Sequence, residues 1–221
     1  SAPKAIHVGG DLAPRGTVDL TRFTRWPRYV WRQRRTRVLQ ARLKVPPSIH
    51  QFAKTLDSDA RKELFKFAQK YAPESKAERK QRLAAIAANK VAGKNAAAVP
   101  EKKATIRCGL KCVTRLIEHK RAKLVLIASD VMPIELVMFL PTLCRKLAVP
   151  FAIVKGKAQL GKLVGFKEAA AVAFDKIRPE DSAAFQQLVG SVDSKFGKDE
   201  EGTHRKWGGL NLGRKAQDKL R

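Results

Sequence analysis

KLVLIASDVMPIELVMFLPTLCRKLAVPFAIVKGKAQLGKLVG, residues 123–165, contains two short apolar runs, LVLIA at 124–128 and FAIV at 151–154. Both are branched and free of charge, which suits strands covered on both faces. Between them, Ser129 or Asp130 is placed to cap a helix running through Glu135 to Leu147, with Pro133 in its first turn and Pro141 as a kink or break. Downstream, a short helix around Gln159 to Val164, a third strand in AVAF at 171–174 and a helix from Asp181 to about Ser194 continue the alternation. Upstream, Ile106, Leu110, Val113 and Ile117 recur at three- and four-residue steps and mark one face of a helix. Strands and helices in alternation build an α/β domain whose central sheet carries helices on both faces.

The residues before this domain have a different character. A helix is expected from Asp59 to Tyr71, with Leu56, Ala60, Leu64, Phe67 and Tyr71 on one side, Asp57 or Ser58 as cap and Pro73 closing it. Ser75 to Val91 reads as a strongly basic helix with a narrow strip of Leu83, Ile86 and Ala87, and Gly93 is its terminator. KNAAAVPEKK, 94–103, is a low-complexity linker, and residues 1–20 read as an extended leader. Helices with such modest apolar faces are marginal alone. The chain therefore divides into a basic extension at 1–104 that depends on a partner for its order, an α/β core at 105–178, and a C-terminal helix with a glycine-containing basic tail at 179–221.

Within the extension, Thr21 to Lys44 carries nine arginines and lysines, four aromatics and no acid. Like charges three and four residues apart repel, so such a run calls for an anionic surface. Arg22, Arg25, Arg28, Arg32, Arg34, Arg35 and Arg37 suit phosphates, while Trp26 and Trp31, with Phe23 and Tyr29, offer flat faces either to unpaired bases or to packing. An anionic membrane fits less well, because Pro27 interrupts the arm and no broad aliphatic face accompanies it. No apolar run reaches the roughly 18 residues that span a bilayer.

The full sequence of 221 residues has 46 basic and 20 acidic residues, a formal net charge of +26. The excess is +9 over residues 1–50, +7 over 51–105, +8 over 106–177 and +2 over 178–221, so it covers most of the length. Such a chain repels itself and favours a polyanion as part of its working structure. Three cysteines, an odd number without framework spacing, together with an N-terminus lacking a secretory apolar region, suggest a reducing compartment, cytoplasm or nucleus.

Other motifs carry less chemistry. GKAQLGKL at 156–163 spells GxxxxGK, yet Leu163 replaces the Ser or Thr that would hold magnesium; Lys155, Lys157 and Lys162 are better read as phosphate contacts. Cys108, Cys112 and Cys144 are expected to be small buried thiols, because the four histidines are scattered and no four-ligand metal set forms. Asp130 and Glu135 bracket a helix start and are explained by capping. No catalytic constellation, cofactor site, metal site or small-molecule substrate is expected. HRKWGGLNLGRK at 204–215 places Arg205, Lys206 and Trp207 beside flexible glycines, an RNA-binding tail or a solubilising one.

Residues 123–165 resemble the kink-turn-binding ribosomal protein family. DLTRFTRWPRYVWRQRR, RLKVPPSIHQF, KYAPESKAERKQRLAAIA and HRKWGGLNLG are similar to its eukaryotic cytosolic large-subunit members. The resemblance implies a three-layer α/β/α sandwich with a central mixed sheet, preceded by a long basic helical extension. It further implies large-subunit ribosomal RNA and neighbouring ribosomal proteins as partners, and cytoplasmic ribosomes with nucleolar assembly as location. The family's RNA-reading glycine, asparagine, glutamate and lysine fall on Gly109, Lys111, Cys112 and Arg115, of which the first and last match. Lys111 offers only charge and Cys112 almost nothing to a base edge, and KEAAA after Gly165 departs from the family's apolar loop. Gly109, Arg115 and Lys157 carry over as RNA contacts, and kink-turn specificity stays open. Relatives in nucleolar RNA-modifying particles provide a second reading, but they keep the asparagine and glutamate and lack the arm.

Overall fold

The computed structural model describes residues 21, 23–91, 104–197 and 205–220. The leader at 1–20, Arg22, Gly93 and the linker at 94–103 lie outside the described residues. The chain forms two compact units, Lys44–Gly208 and Ser1–Leu43 with Gly209–Arg221.

The larger unit is built on a four-stranded mixed sheet of β1 (Arg107–Cys108), β2 (Leu124–Ala128), β3 (Phe151–Val154) and β4 (Ala171–Phe174), in the order β1-β4-β2-β3. Every residue of β2, β3 and β4 is buried, as their unbroken apolar sequences require. β2 and β3 run parallel, Val125 facing Phe151, while β4 runs antiparallel to both β2 and β1, with Leu124 opposite Phe174 and Arg107 opposite Ala173. Helices α2 (Ser58–Gln69), α3 (Lys76–Val91), α4 (Leu110–Glu118), α5 (Leu140–Lys146), α6 (Lys157–Val164) and α7 (Ser182–Val192) follow in chain order. α4 packs on α5, and α2 on α6 and α7, giving the α/β/α layering.

The connection between β2 and β3 departs from the expected helix through Glu135 to Leu147. Met132–Pro133 is a cis peptide, Ile134–Leu136 forms a single 3₁₀ turn, and α5 begins only at Leu140. Pro141 sits in the first turn of α5, where its missing N–H costs nothing, so it opens a helix instead of kinking one. Asp130 does not cap that helix; its Oδ1 accepts a 2.6 Å hydrogen bond from the Lys157 amide at the start of α6. α6 thus begins two residues earlier than expected, and it closes at Gly165 in the left-handed conformation (φ 73°). α7 is followed by a π-type turn over Asp193–Gly197.

α2 shows the predicted apolar side, and the core takes it in. Leu56, Leu64, Phe67, Ala68 and Tyr71 are buried together with the sheet residues, as is Phe52. Asp57 precedes α2 without a side-chain capping bond and instead pairs with Lys195 at 2.6 Å. Phe67, Tyr71, Phe174 and Phe185 form an aromatic cluster with ring centroids 5.3–6.1 Å apart. At its edge the Tyr71 hydroxyl donates to Asp181 Oδ2 (2.9 Å) and accepts from the Arg178 amide (3.1 Å), while Lys70 Nζ reaches Asp181 Oδ1 (2.9 Å).

The hydrogen bonds from Lys70 and then Tyr71 hold the Asp181 carboxyl below its ordinary value. A carboxyl depressed in the folded state contributes stability that is complete above the unfolded pKa, about 4, and is lost as pH falls through the lower folded value. The gap in unfolding temperature between the natural chain and Asp181→Asn is therefore expected to be widest near neutrality and to narrow below about pH 4. Thermal unfolding followed by circular dichroism across this range checks it; a gap independent of pH would disprove the linkage.

α3 is nucleated by its own side chains. A reciprocal capping box joins Ser75 and Glu78, and Arg82 Nε meets both Glu74 oxygens at 2.9 and 3.0 Å. None of its residues is buried.

The smaller unit holds α1 (Arg28–Arg42), a 15-residue helix with no buried residue, and α8 (Arg214–Leu220). Pro27 immediately precedes α1, and its carbonyl accepts from the Val30 and Trp31 amides. Residues 210–211 return to the end of α1, with the Leu210 amide on the Leu43 carbonyl (3.4 Å) and the Asn211 amide on the Ala41 carbonyl (3.0 Å).

Candidate nucleic-acid interface

Arg28, Arg32, Arg34, Arg35 and Arg37 are exposed along α1, and Arg25 is exposed just before it; Arg22 lies outside the described residues. α1 contains no acid, so nothing at helical spacing neutralises this row. Its aromatics separate into two groups. Trp26 is half-buried: its Nε1 donates to the Thr21 carbonyl (2.9 Å), and the Arg34 guanidinium lies 4.2 Å from its ring centroid. That contact occupies one ring face and orients Arg34. Phe23, Tyr29 and Trp31 stay exposed, available for stacking.

On the larger unit, Gly109 stands before α4 with φ 98°, a conformation that other residues rarely adopt. Lys111 and Arg115, one helical turn apart, line an open hollow of about 360 Å³ with Leu110, Thr114, Glu118 and Phe139. Gly109, Lys111 and Arg115 are all exposed. Lys111 and Arg115 thus put two cations on the lining of one hollow, beside the carboxylate of Glu118. Glu118 and Phe139 escaped sequence reasoning, and only the i, i+4 and i, i+7 spacing of Lys111, Arg115 and Glu118 could have signalled part of this.

The three lysines after β3 do not make a single cradle. Lys155 is exposed at the strand end. Lys157 Nζ pairs with Glu168 Oε2 at 2.9 Å, and its amide is occupied by Asp130. Lys162 opens on the side of α2, beside Phe65, Gln69, Ala72, Gln159 and Leu163. The GxxxxGK string is likewise no phosphate loop. Gly161 lies inside α6, where an added Cβ would sit 2.7 Å from the Phe166 carbonyl oxygen and the Glu168 nitrogen. The second glycine of the motif serves close packing, and an acid already holds the helix N-terminal amide.

Of the three thiols expected to be buried, Cys144 is, whereas Cys108 and Cys112 are not. Cys144 is buried, and burial pushes its pKa up to about 12. Cys108 is half-buried and also raised, by burial and then by Cys112, but Cys112 itself is exposed because it falls on the outer face of α4. Among the described residues no group of three or more His, Cys, Asp or Glu could hold a metal ion. No helix among them is long and apolar enough to cross a membrane.

In the tail segment of the larger unit, Arg205, Lys206 and Trp207 are exposed, and Lys44 Nζ sits 4.3 Å from the Trp207 ring centroid. Gly208 is buried against the His50 ring, leaving no room for a Cβ. The contact of Lys44 with Trp207 was also missed beforehand, because nothing local links the two.

An α/β/α domain with paired cations on one helix, together with a separate helix of unneutralised arginines, defines a polyanion-binding protein. The chain belongs to the ribosomal protein L7Ae/L30e/S12e/Gadd45 family, whose model matches residues 90–185. It is 53% identical over 218 residues to the large ribosomal subunit protein eL8 of Tetrahymena thermophila, covering 99% of this chain and 84% of that one. Identity to eL8 of Schizosaccharomyces pombe is 48% over 217 residues, covering 98% and 83%. Identity to eL8A of Candida albicans is 46% over 220 residues, covering 100% and 84%.

Proposed function

We propose that this chain is a structural, non-catalytic constituent of the large ribosomal subunit that binds ribosomal RNA and stabilises its fold. The observation that carries this reading is α1, 15 residues without an acid and without a buried side chain. The arm grips phosphates, the α/β unit docks through Gly109, Lys111 and Arg115, and specificity comes from RNA shape more than base edges. Lys155, Lys162, Arg205, Lys206 and Trp207 add contacts, while Lys157 acts only if RNA displaces Glu168. The protein works in cytoplasmic ribosomes after nucleolar assembly. A core role in an RNA-modifying particle fits less well, because Lys111 and Cys112 offer no base-reading carboxylate or amide.

With about 8 phosphates neutralised, log affinity for a purified large-subunit RNA fragment is expected to fall against log salt with a slope of about −5 to −7. Filter binding across a salt series measures it. A near-flat slope would sink the mechanism.

A further inference from the structure

α1 changes character along its length. Residues 28–37 carry five arginines and the exposed rings of Tyr29 and Trp31, whereas Val38, Leu39 and Leu43 at its end are exposed aliphatics. The returning tail adds Leu210 and Leu212 to the same place, since the Leu210 and Asn211 amides bond to the Leu43 and Ala41 carbonyls. These five side chains are between 46% and 60% exposed. Leu210 moreover has φ 57°, the left-handed region that L-residues occupy at a steric cost, and it holds an uncovered leucine there. Adjoining aliphatics on a free surface of this kind mark an interaction site.

RNA is the wrong occupant. Aliphatic side chains offer phosphates no donor and bases no π-face, so the arm's RNA chemistry ends near Arg37. A second copy is also disfavoured, because a self-complementary pairing would bring together two surfaces bearing Arg37, Arg42, Arg214 and Lys215. We propose that Val38, Leu39, Leu43, Leu210 and Leu212 form a docking surface for a second protein. The segment that covers it is aliphatic at its centre and flanked by aspartates or glutamates that complement the cationic rim. Resting on the ribosomal reading for where that partner is met, the inference makes α1 a bridge: RNA on its first half, protein on its second.

The test places a photoreactive benzoylphenylalanine at Leu39 in one full-length chain and at Tyr29 in another. Both are expressed in cells, intact large subunits are purified, and crosslinks are mapped by residue. Expected are RNA crosslinks from position 29, and from position 39 a crosslink to an aliphatic segment of another protein with acidic flanks. A crosslink from 39 to RNA, to another copy, to residues 1–20 of the same chain, to a protein segment lacking acids, or to nothing overturns the inference. Absence of the chain from subunits overturns the ribosomal reading instead, and no RNA crosslink from 29 in subunits that hold the chain overturns the division of α1; the mapping from 39 in whatever particle holds the chain still judges the docking surface. A charge-neutral double variant, Leu39→Asn with Leu43→Asn, separates the functions. With the photoreactive group moved to Leu212, it is expected to lose the protein crosslink about tenfold while RNA affinity stays within about twofold. Equal loss of both would show one shared surface and refute the division.

Discussion

Replacing Arg28, Arg32, Arg34, Arg35 and Arg37 together with glutamine is expected to lower the affinity for a large-subunit RNA fragment by about 3.5 to 4.5 decades at 0.1 M salt. Each cation that neutralises a phosphate releases roughly 0.7 to 0.9 of a counterion, and at 0.1 M each such release is worth about that many decades. The salt slope is expected to fall by the same amount, to about −2 to −3. Glutamine removes the charge, stays polar and has nearly the helix propensity of arginine, so α1 is preserved. No residue of α1 is buried, so the core loses nothing. Unchanged thermal unfolding with a collapsed salt slope is the expected pair of results. If affinity drops less than tenfold, the arm is not the main phosphate grip, and Lys111 and Arg115 on α4 must carry more of it. Trp26 refines the pattern: its ring holds the Arg34 guanidinium, so restoring arginine at 34 alone should recover more affinity than restoring it at 35.

What was legible in the sequence follows from how local each determinant is. β2, β3 and β4 announce themselves because burial on both faces demands unbroken apolar runs. β1 does not, being two residues long, beginning with exposed Arg107, and existing only by pairing with β4. The start of α5 was misplaced because Pro133 and Pro141 are each suited to a first turn, and local rules do not choose between them. The apolar side of α2 was plain in Leu64 and Phe67, but nothing in residues 58–69 says that it meets Phe174 and Phe185, over a hundred positions later. The candidate site divides in the same way. A row of arginines without acids is a property of neighbours in sequence, whereas the Asp130 bond to Lys157 spans 27 residues and the tertiary fold sets it. The Lys157–Glu168 pair likewise depends on the fold of the loop after α6.

Phe174→Ala is expected to destabilise the larger unit by about 3–5 kcal/mol. Phe174 ends β4 fully buried, faces Leu124 across the antiparallel pair, and touches Phe67, Tyr71 and Phe185 at centroid distances of 6.1, 5.9 and 5.9 Å. Truncation removes the transfer energy of a benzyl group and leaves a cavity where α2, α7 and β4 meet, and the rings of a four-member cluster cannot all shift to fill it. Tyr71 meets the Phe174 ring edge-on at 79°, so its hydroxyl geometry toward Asp181 and Arg178 also loosens. For a chain of this length the loss corresponds to a fall in unfolding temperature of roughly 6–20 °C. Urea titration measures the first number and calorimetry the second. Below the lowered transition the salt slope for RNA should be unchanged, because the arm's cations owe nothing to the aromatic cluster. A slope that fell along with stability would mean that RNA binding and the α/β core form one cooperative unit, and the arm could no longer be treated as an independent phosphate grip.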